Sequence, residues 1–88
     1  TVLCAKADNE LLNIRGIKAS IVLTKVENTV FLSARSIDEL NVQVLMEKLG
    51  GGGHRTVARA QIEGKEIKDC INLVKNAIDE MIVEGEVA

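Results

Sequence analysis

The stretch EKLGGGGHRTVARAQ, residues 47–61, sets four consecutive glycines directly before the only histidine of the chain. Gly50 follows an apolar helical stripe and serves as a helix stop, a common place for glycine. Gly51, Gly52 and Gly53 exceed what a stop requires. Backbone without Cβ atoms can come within hydrogen-bonding distance of a ligand and turn several N–H donors onto one anion, most often a phosphate. His54 adds an imidazole, which can donate to a phosphoryl oxygen, carry charge near neutral pH, or hand a proton to a leaving alkoxide. Arg55 and Thr56 follow at once. Upstream, in SARS, Arg35 supplies a guanidinium able to fork onto phosphate oxygens and Ser36 an extra donor. The expected binding set is therefore Arg35, Ser36, Gly51, Gly52, Gly53, His54, Arg55 and Thr56, with His54 the catalytic candidate.

Each of these residues also has an ordinary use. A glycine run suits a tight connection, a lone histidine is usually a satisfied surface or core residue, and an exposed arginine makes weak ion pairs. The adjacency of run, imidazole and guanidinium is what favours chemistry. The block fits neither G-x-G-x-x-G nor G-x-x-x-x-G-K-[ST], because no lysine follows at the required place and the glycines come after a helix, not between a strand and a helix. One histidine, two distant cysteines and scattered carboxylates give no metal-ligand spacing, so any metal must be held elsewhere. Phe31 is the single aromatic residue, too few for a platform that stacks successive bases.

Composition bounds the rest. With 88 residues the chain holds one core. Apolar residues make up 47 % and there is no proline, which is the balance of a folded module and not of a disordered tail. A net charge of −2 argues against a general polyanion binder, which needs many cations acting together. Arg35, Arg55 and Arg59 nevertheless cluster around the glycine run while the segment after Glu63 is acidic, so one compact anion fits better than a long strand. Cys4 and Cys70 are far apart and are expected as reduced, packed thiols. No apolar run approaches the length of a membrane span, and the N-terminus lacks the order of a signal peptide, so the segment reads as cytoplasmic. Its uncapped amphipathic opening suggests a fragment, residues 1–88, of a longer chain.

The elements that must carry these residues follow from periodicity. Ala5, Asp8, Leu11 and Leu12 predict a first helix from about Leu3 to Asn13, ended at Gly16. A period of two from Ile17 through Ala19, Ile21 and Leu23, repeated in Val30, Leu32 and Ala34, predicts a hairpin with Asn28 as its left-handed turn residue. Val42, Leu45, Met46 and Leu49 form a second helical stripe with Asn41 as N-cap, Ser36 and Glu39 offering an earlier capping box. TVARAQIE reads as a strand. Ile67, Cys70, Ile71, Val74, Ala77, Ile78, Met81 and Ile82 mark a long amphipathic helix. The fold class expected is α/β: a small mixed sheet, an antiparallel hairpin plus at least one further strand, packed with about three helices.

The segment SARSIDELNVQVLMEKLGGGGHRTVA resembles the DHH-associated domain, the C-terminal subdomain of the DHH phosphoesterase family, and within it the membrane-tethered cyclic-di-AMP phosphodiesterases of Gram-positive bacteria. The likeness also takes in AKADNELLNIRGIKASIVL and the closing helix, and so covers almost the whole chain. It implies a partner in the same chain, an N-terminal DHH domain that holds two divalent metals, usually manganese, and activates water. It further implies that Gly51 to Gly53, His54, Arg35 and Ser36 hold the phosphates of cyclic di-AMP while the ring is opened to pApA, and that the fragment alone is inactive. Arg59 departs from the family's pattern, which places alanine there; with Arg55 it is expected to alter the mouth of the cleft. Three other readings stay open: a DHH exonuclease or short-oligonucleotide phosphodiesterase, a non-catalytic nucleic-acid module, and a structural or dimerising module in which the chain pairs with itself.

Overall fold

The computed structural model describes residues 8–14, 19–36 and 40–84. Four long strands and one very short one form a single sheet: β1 (Asp8–Ile14), β2 (Ala19–Val26), β3 (Thr29–Ser36), β4 (Gly52–Gly53) and β5 (Val57–Glu63), with helices α1 (Val42–Lys48) and α2 (Ile67–Val83). The strand order is β1-β2-β3-β5-β4. The α/β expectation holds. Every pairing among the described strands is antiparallel, where a mixed sheet was expected, and the described residues contain two helices instead of three.

The missing helix is the first one. Residues 8–14, expected as the second half of a helix from Leu3 to Asn13, instead form β1, paired with β2 without interruption from Asp8↔Lys25 to Ile14↔Ala19. Asp8, Asn9 and Asn13 are weak helix formers, and the helical reading had to include a charged position in its apolar stripe. A ladder with β2 satisfies the backbone that a weak helix would have held only marginally. Residues 3–7, Gly16, Ile17 and Glu39, which carry the rest of those readings, lie outside the described residues.

The hairpin β2–β3 forms as expected, closed at Val26↔Thr29 by the two-residue loop Glu27–Asn28. Its left-handed residue is Glu27, with φ of 55°, and not Asn28. The Asn28 carbonyl is held by a tertiary bond, accepting from the Gly64 N–H at 2.9 Å, so the sheet's far end fixes its orientation and shifts the positive φ one place earlier.

Alternation then divides the sheet into two faces. Ala19, Ile21 and Leu23 of β2, Val30, Leu32 and Ala34 of β3, and Ala58 and Ala60 of β5 are buried under the helices. From α1 come Val42, Leu45 and Met46, and from α2 come Cys70, Val74, Ala77, Ile78 and Met81. Full burial of each large aliphatic side chain contributes about 1.5–3 kcal/mol, which makes this single layer the main source of stability. Ile82, expected in the α2 stripe, is 49 % exposed, because it lies about 100° around the helix from Met81 and points away from the sheet. Cys70 is free and buried; burial pushes its thiol pKa up, and the charge of Asp69 adds to the effect. Cys4 lies outside the described residues. Among those residues no helix is long and apolar enough to cross a membrane.

Both helix starts are capped. The Asn41 side chain accepts from the Gln43 N–H at 3.0 Å and the Val44 N–H at 3.3 Å, as its position predicted. Asp69 accepts from the Glu66 N–H at 3.2 Å at the head of α2. The helices are joined by Lys48, whose Nζ lies 3.3 Å from Glu80 and 3.0 Å from Glu84. The hydrogen bond to Glu84 raises the Lys48 pKa, outweighing partial desolvation, with Glu80 adding to the rise. Because the folded value is raised, this contribution is fully present below the ordinary lysine range and is lost as pH climbs through the folded value. Thermal melts between about pH 9 and pH 12 should show the parent domain losing more stability than Lys48→Met; equal losses would mean that the pair contributes nothing.

Candidate functional site

The glycine run is a piece of architecture before it is a site. Leu49 caps α1, and the next two residues close it: the Gly50 N–H donates to the Glu47 carbonyl at 3.1 Å and the Gly51 N–H to the Met46 carbonyl at 2.8 Å. This is the Schellman pattern, and Gly50 has the left-handed φ of 89° that it demands. The chain then turns along β5, pairing Gly52↔Arg59 and Gly53↔Ala58. A Cβ on Gly51 would collide with the Arg59 carbonyl and lie 2.7 Å from the Ala60 Cα. At Gly53, with φ of 146°, it would meet the Ala58 Cα at 2.6 Å and the Val57 carbonyl at 2.8 Å. Gly52 is the exception, since a Cβ there would meet open space. Three of the four glycines thus answer to packing or backbone conformation.

Few donors of the run are left for a ligand. The His54 N–H donates to the Val57 carbonyl at 2.7 Å. In an antiparallel ladder hydrogen-bonded and non-bonded pairs alternate, so Gly52 shares a bonded pair with Arg59 and Gly53 turns its N–H and carbonyl to the open edge. With Gly50 and Gly51 committed to α1, Gly53 supplies the outward donor. The expected three-donor cradle narrows to that one N–H, in backbone that side chains can approach closely.

The hairpin's tip, Arg55–Thr56, is anchored from behind. The Arg55 carbonyl accepts from the Val42 N–H at 3.0 Å, and the Thr56 carbonyl from the Ser36 N–H at 2.9 Å. Those two bonds fasten the tip to the start of α1 and the end of β3. His54, Arg55 and Thr56 are all exposed, so the anchored main chain displays their side chains outward. Arg35 lies opposite Val57 in the β3–β5 register and is exposed on the same end of the sheet; Ser36 is half-buried beside it. The eight residues singled out in the sequence are therefore brought to one end of one sheet.

Several cationic side chains at this end stand without a partner. Among the described residues, the side chains of Arg35, His54, Arg55 and Arg59 have no ion-pair or hydrogen-bond partner, whereas Lys25 and Lys48 are paired with glutamates. No three acidic, histidine or cysteine side chains among the described residues gather into a group able to hold a metal ion. The groups brought together are of the kind that can bind an anion: guanidiniums, an imidazole and one outward N–H at the border of a sheet.

Sequence reasoning missed the reason for the glycines. G-x-G at 51–53 faces A-x-A at 58–60, and that pairing of bare and near-bare positions was the available signal for two chains packed at close approach.

The fold is thus an antiparallel sheet covered on one side by two helices and edged by a hairpin that displays cations. The chain belongs to the DHHA1 domain family, whose description matches residues 3–83. It is 44 % identical to the cyclic-di-AMP phosphodiesterase GdpP of Bacillus subtilis (strain 168) over 85 residues, 96 % of this chain and 13 % of that protein. It is 41 % identical to the cyclic-di-AMP phosphodiesterase PdeA of Listeria monocytogenes serotype 1/2a (strain 10403S) over 80 residues, 90 % of this chain and 12 % of that protein. A membrane protein–large ribosomal subunit bL9 fusion protein of Aster yellows witches'-broom phytoplasma is 36 % identical over 83 residues, 93 % of this chain and 10 % of that protein. The chain thus spans about an eighth of the length of the two phosphodiesterases.

The packing makes a sharp contrast within the run. Gly51→Ala should destabilise the domain by about 1–3 kcal/mol, the range of overpacked sites. Gly52→Ala should stay within about 0.5 kcal/mol of the parent. Denaturant unfolding of the two variants measures both; equal effects would contradict the close approach at Gly51.

Proposed function

We propose that this domain is the phosphate-holding half of a metal-dependent phosphodiesterase that opens cyclic di-AMP to pApA. The observation that carries the reading is the anchored tip: two backbone bonds fix residues 55 and 56 while His54, Arg35 and Arg55 stand exposed around it without partners. Pre-positioned cations and donors lower the free energy of a transition state in which charge builds on phosphoryl oxygens, because they need no reorganisation when the charge appears. The names of the Bacillus and Listeria relatives support the substrate.

In this reading Arg35 forks onto non-bridging oxygens, the Gly53 N–H and Ser36 hydroxyl complete the hold, and His54 donates to the phosphoryl oxygen or to the departing alkoxide. Arg55 and Thr56 border the entrance. An N-terminal DHH domain of the same chain would carry two divalent ions, manganese by family resemblance, which supply an activated water. The part this reading gives the chain's own residues is binding, orienting and proton donation.

In the full-length polypeptide, His54→Ala should lower kcat on cyclic di-AMP by roughly 10²-fold or more, the range seen when one transition-state donor is lost. Release of pApA followed by chromatography measures it. An undiminished rate would remove His54 from the chemistry, and turnover by the 88-residue chain with manganese alone would overturn the division of labour.

A further inference from the structure

The helices cover one face of the sheet; the opposite face holds a feature that the phosphate-holding role leaves unused. Phe31, the only aromatic residue in the chain, is not in the core but on this open face, 40 % exposed. Register places it directly opposite Gln61 of β5 and diagonal to Arg59, which stands opposite Ser33. Together with Val22 and Thr24 of β2 these residues line a depression of about 400 Å³, within the size range of small-ligand sites.

Arg59 links this depression to the proposed phosphate site. It occupies the row next to Arg35 on the neighbouring strand, and such diagonal neighbours lie about 7–8 Å apart. Its partner in the ladder on the other side is Gly52, the one glycine of the run that neither a positive φ nor a Cβ clash requires. Paired residues point to the same face, so the flank of the Arg59 side chain is uncovered where any other residue would stand against it. The guanidinium has no ion-pair partner among the described residues.

We propose that this face is a nucleobase subsite that sets the substrate's second nucleotide unit. The planar base lies over the Phe31 ring, its polar edge meets the Gln61 amide, which offers both donors and acceptor, and the phosphate attached to it rests on Arg59. The adjoining phosphodiester is the one held at Arg35 and His54. The inference rests on the phosphate-holding role proposed above and adds what that role lacks, a surface that distinguishes a dinucleotide from any other phosphodiester. It also gives Gly52 a use that packing does not.

The test uses the full-length polypeptide and two substrates, cyclic di-AMP and its analogue with one abasic sugar. Stacking of a base on an aromatic side chain supports a loss of about tenfold or more when the ring is removed. Phe31→Ala should therefore raise KM for cyclic di-AMP about tenfold with kcat little changed, the effect should vanish on the abasic analogue, and Phe31→Trp should restore the parent value. Arg59→Gln should raise KM on both substrates. Equal losses on the two substrates with Phe31→Ala, or a lowered melting temperature with base discrimination intact, would overturn the subsite and show that the face packs against another part of the polypeptide. The two readings fail separately: if His54→Ala abolishes turnover while Phe31→Ala is silent, only the subsite falls; if His54→Ala is silent, the phosphate-holding role falls first.

Discussion

The close approach of two nearly bare backbones, Gly51 to Gly53 against Ala58 to Ala60, is the constraint on which the rest of this domain depends. A Cβ at Gly51 or Gly53 would collide with β5 and hold the two strands apart, and then the two-residue β4 could not form. Because the strands meet, α1 is drawn down onto the sheet, where Val42, Leu45 and Met46 complete the core under α2. The glycines thus link three levels at once: helix termination, sheet pairing and core packing. Any ligand chemistry at this edge is built on positions that folding already requires.

A second consequence is rigidity at the place where chemistry is proposed. Loops usually carry function because they are exposed, and they are usually the most mobile part of a domain. Here the exposed turn has both of its carbonyls occupied, one by the end of β3 and one by the start of α1. Side chains are displayed without freeing the backbone, which limits the entropy lost when they hold an anion. The charge distribution works in the same direction. A mildly acidic body with three of its four arginines at one sheet end repels polyanions in general and favours attraction at that end.

Much of this was legible in the sequence, and the failures are instructive. The hairpin, α1 with its Asn41 cap, the Gly50 stop, β5 and α2 were all readable because period, cap and stop signals agreed with one another. The segment now seen as β1 was misread because Leu11 and Leu12 fit a helix as well as a strand, and only pairing with β2 decides between them. The shift of the left-handed turn residue from Asn28 to Glu27 depends on a bond from Gly64, 36 positions away in the chain, which no local rule contains. As for the site, its residues could be named from type and adjacency. The commitment of the Gly51 N–H to Met46, and the openness at Gly52, could not, because both follow from how α1 and β5 meet.

The shortness of β4 has one more effect. A sheet border normally displays a row of free amides and carbonyls that another polypeptide can join as an added strand, and long flat borders invite such growth. Here β4 is only two residues long and itself offers one outward amide, with the tip fastened behind it. β4 alone is too short a template for a second strand to register upon. The same shortness that bares the Gly53 amide therefore also keeps β4 from seeding an added strand.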